Sequence, residues 1–223
     1  MKNIILTGAS DGLGKEFAKI CIENNINIIA LCRTKPRYDC IHIYTDLADE
    51  NSIKNSCEEI KRIYNKFDAL VNCAGIASVE KIEEINYSSL ENVMKVNTIA
   101  PMFIISELFD LIKQNNADII NVGSTVGTKS GYENQLAYTT SKWALRGASY
   151  NLQLELKKCN CRVIQFNVGG MNTRIVAKVT GEEIKNSDEW MDPADIGKLI
   201  LYILTLPKKI EVSEITINRK NIK

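Results

Sequence analysis

Tyr138 and Lys142 stand four residues apart in the stretch YTTSK, near the start of a predicted helix. That spacing puts both side chains on one helix face, one turn apart. An ammonium beside a phenol favours the phenolate, so the pair predicts a tyrosine whose pKa is drawn below its usual value of about 10. Such a group gives or takes a proton nearer neutral pH. Taken alone the pair is a weak signal, because many surface helices contain it by chance. It gains weight from a Ser/Thr-rich strand end, GSTVG at 123–127, which carries Ser124, and from TGASDGLG at 7–14. The latter sets Gly8, Gly12 and Gly14 between the apolar run Ile4, Ile5, Leu6 and a helical pattern through Phe17, Ala18, Ile20 and Cys21. A strand that turns tightly into a helix needs residues without a Cβ, both for unusual φ and for close approach of another molecule. The helix N-terminus then offers unpaired N–H groups and a positive dipole end to an anion, typically a pyrophosphate.

The elements that must position these groups alternate along the chain. Strands are predicted near residues 2–7, 26–32, 40–44, 68–73, 117–123, 161–168 and 213–217, and helices near 12–24, 49–65, 87–114, 137–158 and 192–206, the third kinked or restarted around Pro101. Strand and helix in alternation predict an α/β fold, a doubly wound parallel sheet with helices on both faces. Right-handed crossovers give the order 3-2-1-4-5-6-7, with ligands beyond the carboxyl ends of the strands where the order reverses, between the first and fourth. The length of 223 residues suits one domain spanning 1–223. The irregular stretch at about 174–191 is expected above the carboxyl edge of the sheet, as a lid or an inert loop.

With 28 basic and 27 acidic residues the formal net charge is +1, which gives no bulk attraction to nucleic acid or to an anionic membrane. No run approaches the roughly 20 apolar residues of a membrane span, and no signal-peptide pattern is read at the N-terminus. The seven cysteines are an odd, scattered set without a Cys-x-x-Cys pair, read as small buried hydrophobes of a reducing cytoplasm. The lone histidine, His42, lies in a strand-like run and is read as structural, so no metal site is expected.

These motifs, in this order, resemble the short-chain dehydrogenases/reductases of the compact type. TGASDGLG matches that family's Thr-Gly-x-x-x-Gly-x-Gly turn, Asn72-Cys73-Ala74-Gly75 its Asn-Asn-Ala-Gly with one substitution, and Asn97 in KVNTIAP its helix asparagine. Ser124 in IINVGSTVG and the Tyr138/Lys142 pair complete the set. The resemblance implies a Rossmann fold and an NAD(P)-dependent oxidoreductase that moves hydride between the nicotinamide and a small carbonyl or alcohol. Tyr138 would then be the general acid or base, Ser124 would hold the substrate oxygen, Lys142 would bind the nicotinamide ribose and favour phenolate, and Asn97 would hold a water that relays protons to Lys142. Gly8, Ser10, Asp11, Gly12, Leu13 and Gly14 would line the pyrophosphate. Asp46 and Leu47 would meet the adenine, and Asn72, Ala74 and Gly75 the adenosine ribose side. Gly169, Met171 and Thr173, in the loop after the sixth strand, would face the carboxamide. The substrate pocket would be lined by Val126, Tyr132, Met171, Ile175 and Trp190 beside Ser124 and Tyr138.

Three departures qualify the pattern. Val168 stands where the family has a proline, and Ser124 precedes Tyr138 by fourteen residues, one more than usual; Thr125 has the commoner spacing, but the local GSTVG match favours Ser124. The second strand ends Ala30-Leu31-Cys32-Arg33-Thr34 without the aspartate that would accept bonds from the NAD ribose, and Arg33 is suited to pair a 2′-phosphate, so NADP is expected, with NAD the alternative. Asp11 leans mildly towards NAD. Two further function classes remain open: a non-catalytic dinucleotide-binding sensor or scaffold, and a nucleotide-sugar epimerase or dehydratase. Finally, PMFIISELFDLI at 101–112 and the helix from Tyr138 are apolar beyond one core-facing stripe, which predicts a homodimer or homotetramer built on these two helices.

Overall fold

A computed structural model describes residues 1–129, 131–175, 177 and 189–220. Seven parallel strands form one sheet in the order β3-β2-β1-β4-β5-β6-β7. They are β1 Asn3–Thr7, β2 Asn27–Cys32, β3 Ile41–Tyr44, β4 Ala69–Asn72, β5 Asp118–Val122, β6 Val163–Val168 and β7 Glu214–Ile217. The central strands read as near-continuous apolar runs because both of their faces are covered. Alternate residues serve opposite cores. Ile4, Leu6, Ile28 and Ala30 face one cluster with Phe17, Ile196 and Ile200, while Ile5, Ile29 and Leu31 face the other with Ile53, Ile60 and Ile104.

The helices that cover the first face are α1 Gly12–Glu23 and the last helix, Pro193–Thr205, here α7. The second face is covered by α2 Glu50–Ile63, α3 Tyr87–Met94, α4 Ala100–Glu107, α5 Phe109–Asn115 and α6 Leu136–Glu155. Start signals are explicit: the Asp49 carboxylate accepts from the N–H groups of Asn51 and Ser52 at α2, and Asp192 caps α7 ahead of Pro193. Val168, in the place of a proline, keeps its N–H and carries β6 to its pairing with Ile217.

The helix expected over 87–114 is divided in two places. Lys95–Ile99 forms a π-helical turn between α3 and α4, and the chain breaks again at Leu108 before α5. Pro101 lies in the first turn of α4, where its missing N–H is tolerated, so the interruption precedes the proline instead of centring on it. Most of the stretch at about 174–191 lies outside the described residues. Its two ends meet: Met171 pairs with Met191, and Asn172 N donates to Met191 O at 3.0 Å. Among the described residues no helix is long and apolar enough to cross a membrane.

Candidate active site

The sheet order reverses between β1 and β4, and there the glycine turn leaves β1. Gly8 has φ +74°, and a Cβ on it would lie 2.8 Å from Ala74 Cα; a Cβ on Gly14 would lie 2.4 Å from Gly8 O. The turn therefore closes on both the β4 loop and its own helix only as glycine. Asp11 caps α1, its carboxylate accepting from Gly12 N at 2.9 Å. The Thr7 hydroxyl accepts from Cys73 N and Ala74 N, each at 3.1 Å, and so fixes the Asn72–Gly75 segment beside the turn. Thr173 lies against Gly12 across the crevice, with Gly169 held to β7 by its N–H to Ile217 O at 2.9 Å. Arg174 stands 4.0 Å from Asp11. These elements leave a helix N-terminus, glycine backbone and the loop after β6 around one crevice, a shape and polarity that fit a dinucleotide. The Asn72 Oδ1, buried without a partner in the protein, is an acceptor on the β4 side of that crevice.

The three groups singled out for chemistry converge one strand over. Ser124 follows β5, and its hydroxyl stands beside the Tyr138 phenol from the start of α6. Lys142, 4% exposed, donates from Nζ to the Val122 carbonyl at 3.0 Å and lies 5.8 Å from the Tyr138 ring centroid. Gly127 lets α6 approach, since a Cβ there would sit 2.9 Å from Lys142 O. Gly75 leaves room for Lys142 Nζ and Asn97 Oδ1, which a Cβ would meet at 3.4 and 3.5 Å.

The electrostatics differ from the expectation that Lys142 draws the phenol down. Burial pushes the Tyr138 phenol above its ordinary value, opposed by the neighbouring Ser124 hydroxyl. Burial also pulls Lys142 down to about 8, opposed by the neighbouring Cys73. Cys73 itself is pushed up to about 12 and stays a neutral thiol.

Asn97 sits in the π-helical turn with its side chain committed to the protein. Nδ2 donates to Ile76 O at 2.8 Å and to Ser141 Oγ at 2.9 Å, and Oδ1 accepts from Ile76 N at 2.8 Å. Pro101, four residues on, has no N–H to donate to the Asn97 backbone carbonyl.

Other named residues are placed more peripherally. Asp46 accepts from Ala48 N at 3.0 Å, and Leu47 is buried in the second core cluster. Val126 is buried in the turn after Ser124, and Met171 and Ile175 are half-buried in the loop after β6. Tyr132 is 75% exposed and lines a surface cleft with Glu80, Ile82, Leu136 and Thr139, a set that includes neither Ser124 nor Tyr138. The Trp190 ring packs over Gly170 and beneath Arg219, whose guanidinium lies 4.7 Å from the ring centroid.

Sequence reasoning missed a buried polar chain that holds α6 to the sheet. Asn72 donates to Asn121, Asn121 to Ser149, Ser149 to Gln165 and Gln165 to Asn167, at 2.6–2.9 Å. Asn167 donates to Glu214, which also receives Arg146 of α6. The only local signal is two amides, Gln165 and Asn167, at alternate positions of a strand otherwise apolar.

A family model described as short chain dehydrogenase matches residues 2–184 of the chain. An uncharacterised oxidoreductase of Staphylococcus aureus (strain N315) is 25% identical over 230 residues, covering 97% of this chain and 96% of that protein. Among solved structures, the alcohol dehydrogenase of the archaeon Thermococcus sibiricus complexed with 5-hydroxy-NADP aligns at TM-score 0.87 and 18% identity, covering 100% of this chain and 99% of that one. A 4-hydroxyisoleucine dehydrogenase complexed with NADH aligns at TM-score 0.87 and 25% identity, covering 98% of each chain.

Proposed function

Since the chain belongs to the short-chain dehydrogenase/reductase family and is an NAD(P)-dependent oxidoreductase of that family, we propose that it interconverts a small carbonyl compound and its alcohol with Tyr138 as the general acid or base. The observation that carries this reading is the convergence of Ser124, Tyr138 and Lys142 beside the glycine-turn crevice. The nicotinamide supplies or accepts the hydride when bound there.

In the reducing direction Ser124 donates a hydrogen bond to the substrate carbonyl oxygen and holds it against the phenol. Tyr138 then gives that oxygen its proton as the carbon gains hydride, so carbonyl, hydride and proton become alcohol. The raised phenol pKa keeps Tyr138 protonated at neutral pH, which suits the acid role. Lys142 binds the nicotinamide ribose hydroxyls. The Asn97 backbone carbonyl, and not its side-chain amide, holds the water that returns a proton to Lys142. The buried placement of Tyr138 and Lys142 favours turnover over a purely binding role, since a scaffold gains nothing from an expensive buried ammonium. A screen of carbonyls and alcohols, followed at the absorbance of the reduced nicotinamide, tests this. Failure of every class to turn over while cofactor binds would refute catalysis.

NADP is the assigned cofactor. No carboxylate stands at the end of β2, and Arg33, Lys35 and Arg37 are exposed in the connection that follows. The relatives named above include proteins complexed with an NADP derivative and with NADH, so the preference is read from this chain's own residues. Titration with NADPH and NADH decides it.

The same reading assigns a homodimer formed through α6. Ile104, Ile105, Leu108 and Ile112 of the expected apolar pair are absorbed by the chain's own core, whereas Trp143, Tyr150 and Leu154 of α6 remain 45%, 40% and 69% exposed. Gly147 lies between them with open space where a Cβ would be, a position that admits a close-packed second helix. All seven cysteines are free, which supports a reducing compartment, the cytoplasm.

A further inference from the structure

Tyr38 belongs to none of the motifs above. It lies in the connection from β2 to β3, Arg33 to Cys40, RTKPRYDC. That connection is not a free loop. Pro36 is buried, and the rings and thiols of Tyr38 and Cys40 pack against the first core cluster. The Tyr38 hydroxyl donates to the carbonyl of Ala9, a fully buried residue inside the glycine turn. Cys32, at the root of the connection, donates its thiol to Thr34 O at 3.2 Å and contacts Ser10 and Ala9 of the same turn. The Cys32 carbonyl accepts from Thr45 N at 3.3 Å and from His42 Nε2 at 2.9 Å. With Pro36, Tyr38 and Cys40 held inward, Arg33, Lys35 and Arg37 all face outward, with Asp39 the one acid beside them.

We propose that Tyr38 is a specificity-determining positioning residue: its hydroxyl ties this row of cations to the glycine turn and so sets the preference for a 2′-phosphorylated dinucleotide. The inference rests on the NADP reading given above. The glycine turn locates the pyrophosphate, and the 2′-phosphate then lies at a set distance from it along the adenosine. Cations fixed relative to that turn meet the 2′-phosphate without first being ordered, whereas the same cations on an untethered loop lose rotamer and backbone freedom on binding. The Ala9 carbonyl has no solvent to replace the hydroxyl, so losing the bond leaves a buried acceptor unpaired and shifts the connection against the turn. Burial pushes the Tyr38 phenol far above its ordinary value, so the hydroxyl remains a donor.

The test is Tyr38→Phe in the full chain, which keeps the packed ring and removes only the oxygen. Dissociation constants are measured for NADPH, NADH, 2′,5′-ADP and 5′-ADP, with the melting temperature as a control. The expected result is that NADPH and 2′,5′-ADP weaken by about 3- to 10-fold, the worth of one hydrogen bond, while NADH and 5′-ADP change by about twofold or less. Equal losses for all four ligands, or an NADPH-to-NADH affinity ratio unchanged by the substitution, overturns the role of Tyr38. A wild-type preference for NADH overturns the NADP reading itself, and the two failures are thereby told apart. Should Tyr38→Phe not fold, Lys35→Gln and Arg37→Gln, both at exposed positions, carry the test. Each must weaken NADPH and 2′,5′-ADP selectively, and failure of either variant to do so overturns the proposal.

Discussion

Asn97 and Ser141 are joined by a hydrogen bond of 2.9 Å, and the Ser141 hydroxyl donates in turn to the Tyr138 carbonyl at 2.7 Å. The π-helical turn and the first turns of α6 are therefore one hydrogen-bonded unit, with Thr98 Oγ1 adding a bond to Ser141 O at 2.9 Å. Asn97→Leu removes three bonds and leaves the Ile76 N–H and carbonyl unpaired, so it is expected to cost about 1–3 kcal/mol in urea unfolding. Turnover should fall with it, because the start of α6 carries Tyr138. Unchanged stability would show that the clamp contributes nothing.

Tyr138→Phe removes the proton donor without changing the volume of the site. Turnover is expected to fall by about 10²- to 10⁴-fold with cofactor affinity nearly intact. Turnover retained at the wild-type rate, measured with any substrate found in the screen, would end the proposed mechanism.

Lys142 carries a pH dependence with a definite sign. Burial holds it at about 8 in the folded chain against an ordinary 10.5, so between those values the unfolded chain binds more protons at this group. Stability from this group therefore rises with pH across that window, and below it the buried ammonium imposes a constant cost on the order of 3 kcal/mol. Lys142→Met is expected to melt at a higher temperature than wild type at neutral pH, with the difference shrinking as the pH climbs towards about 10. The raised phenol of Tyr138 acts oppositely, but only above its ordinary value of 10.0. A difference independent of pH would refute the assigned cause.

Arg162 is buried at the end of the sheet away from the site. Nη2 meets Asp118 Oδ2 at 2.7 Å, and the guanidinium also donates to the carbonyls of Leu204, Leu206 and Ile210 at 3.1–3.2 Å. Arg162→Leu leaves Asp118 with Lys208 and the backbone N–H of residue 162, takes the guanidinium from its Oδ2, leaves three carbonyls unpaired, and is expected to cost about 3–5 kcal/mol. Denaturant unfolding measures the loss. NADPH affinity of the remaining folded protein should be unchanged.

The α6 interface is tested by light scattering. The expected mass is twice the 25.0 kDa of one chain or a multiple of that dimer, and Trp143→Glu should shift the assembly towards the single-chain mass. A wild-type mass equal to one chain would refute the assembly.

Much of the fold was legible because its signals are local. The alternation of apolar runs with helical periods gives the strands, and right-handed crossovers give their order. Gly8, Gly12 and Gly14 declare a turn because the first two take a positive φ, and a Cβ would run into Ala74 at Gly8 and into the Gly8 carbonyl at Gly14. The four-residue step from Tyr138 to Lys142 likewise follows from helical geometry alone.

The tertiary structure decided what depends on surroundings brought from elsewhere in the chain. Spacing put an ammonium near a phenol, but whether charge or desolvation governs the pair depends on the burial supplied by β4, β5 and the turn at Gly127, and desolvation wins at both groups. Asn97 could be recognised by its motif, yet only the fold shows that Ile76 and Ser141, 21 and 44 residues away, consume its side chain. Tyr38 carries no sequence signal, because its partner Ala9 lies 29 residues back and meets it only when β1 and β2 pair. Backbone periodicity is written residue by residue in the sequence, whereas dielectric environment and hydrogen-bond partners at long range exist only once the chain has closed on itself.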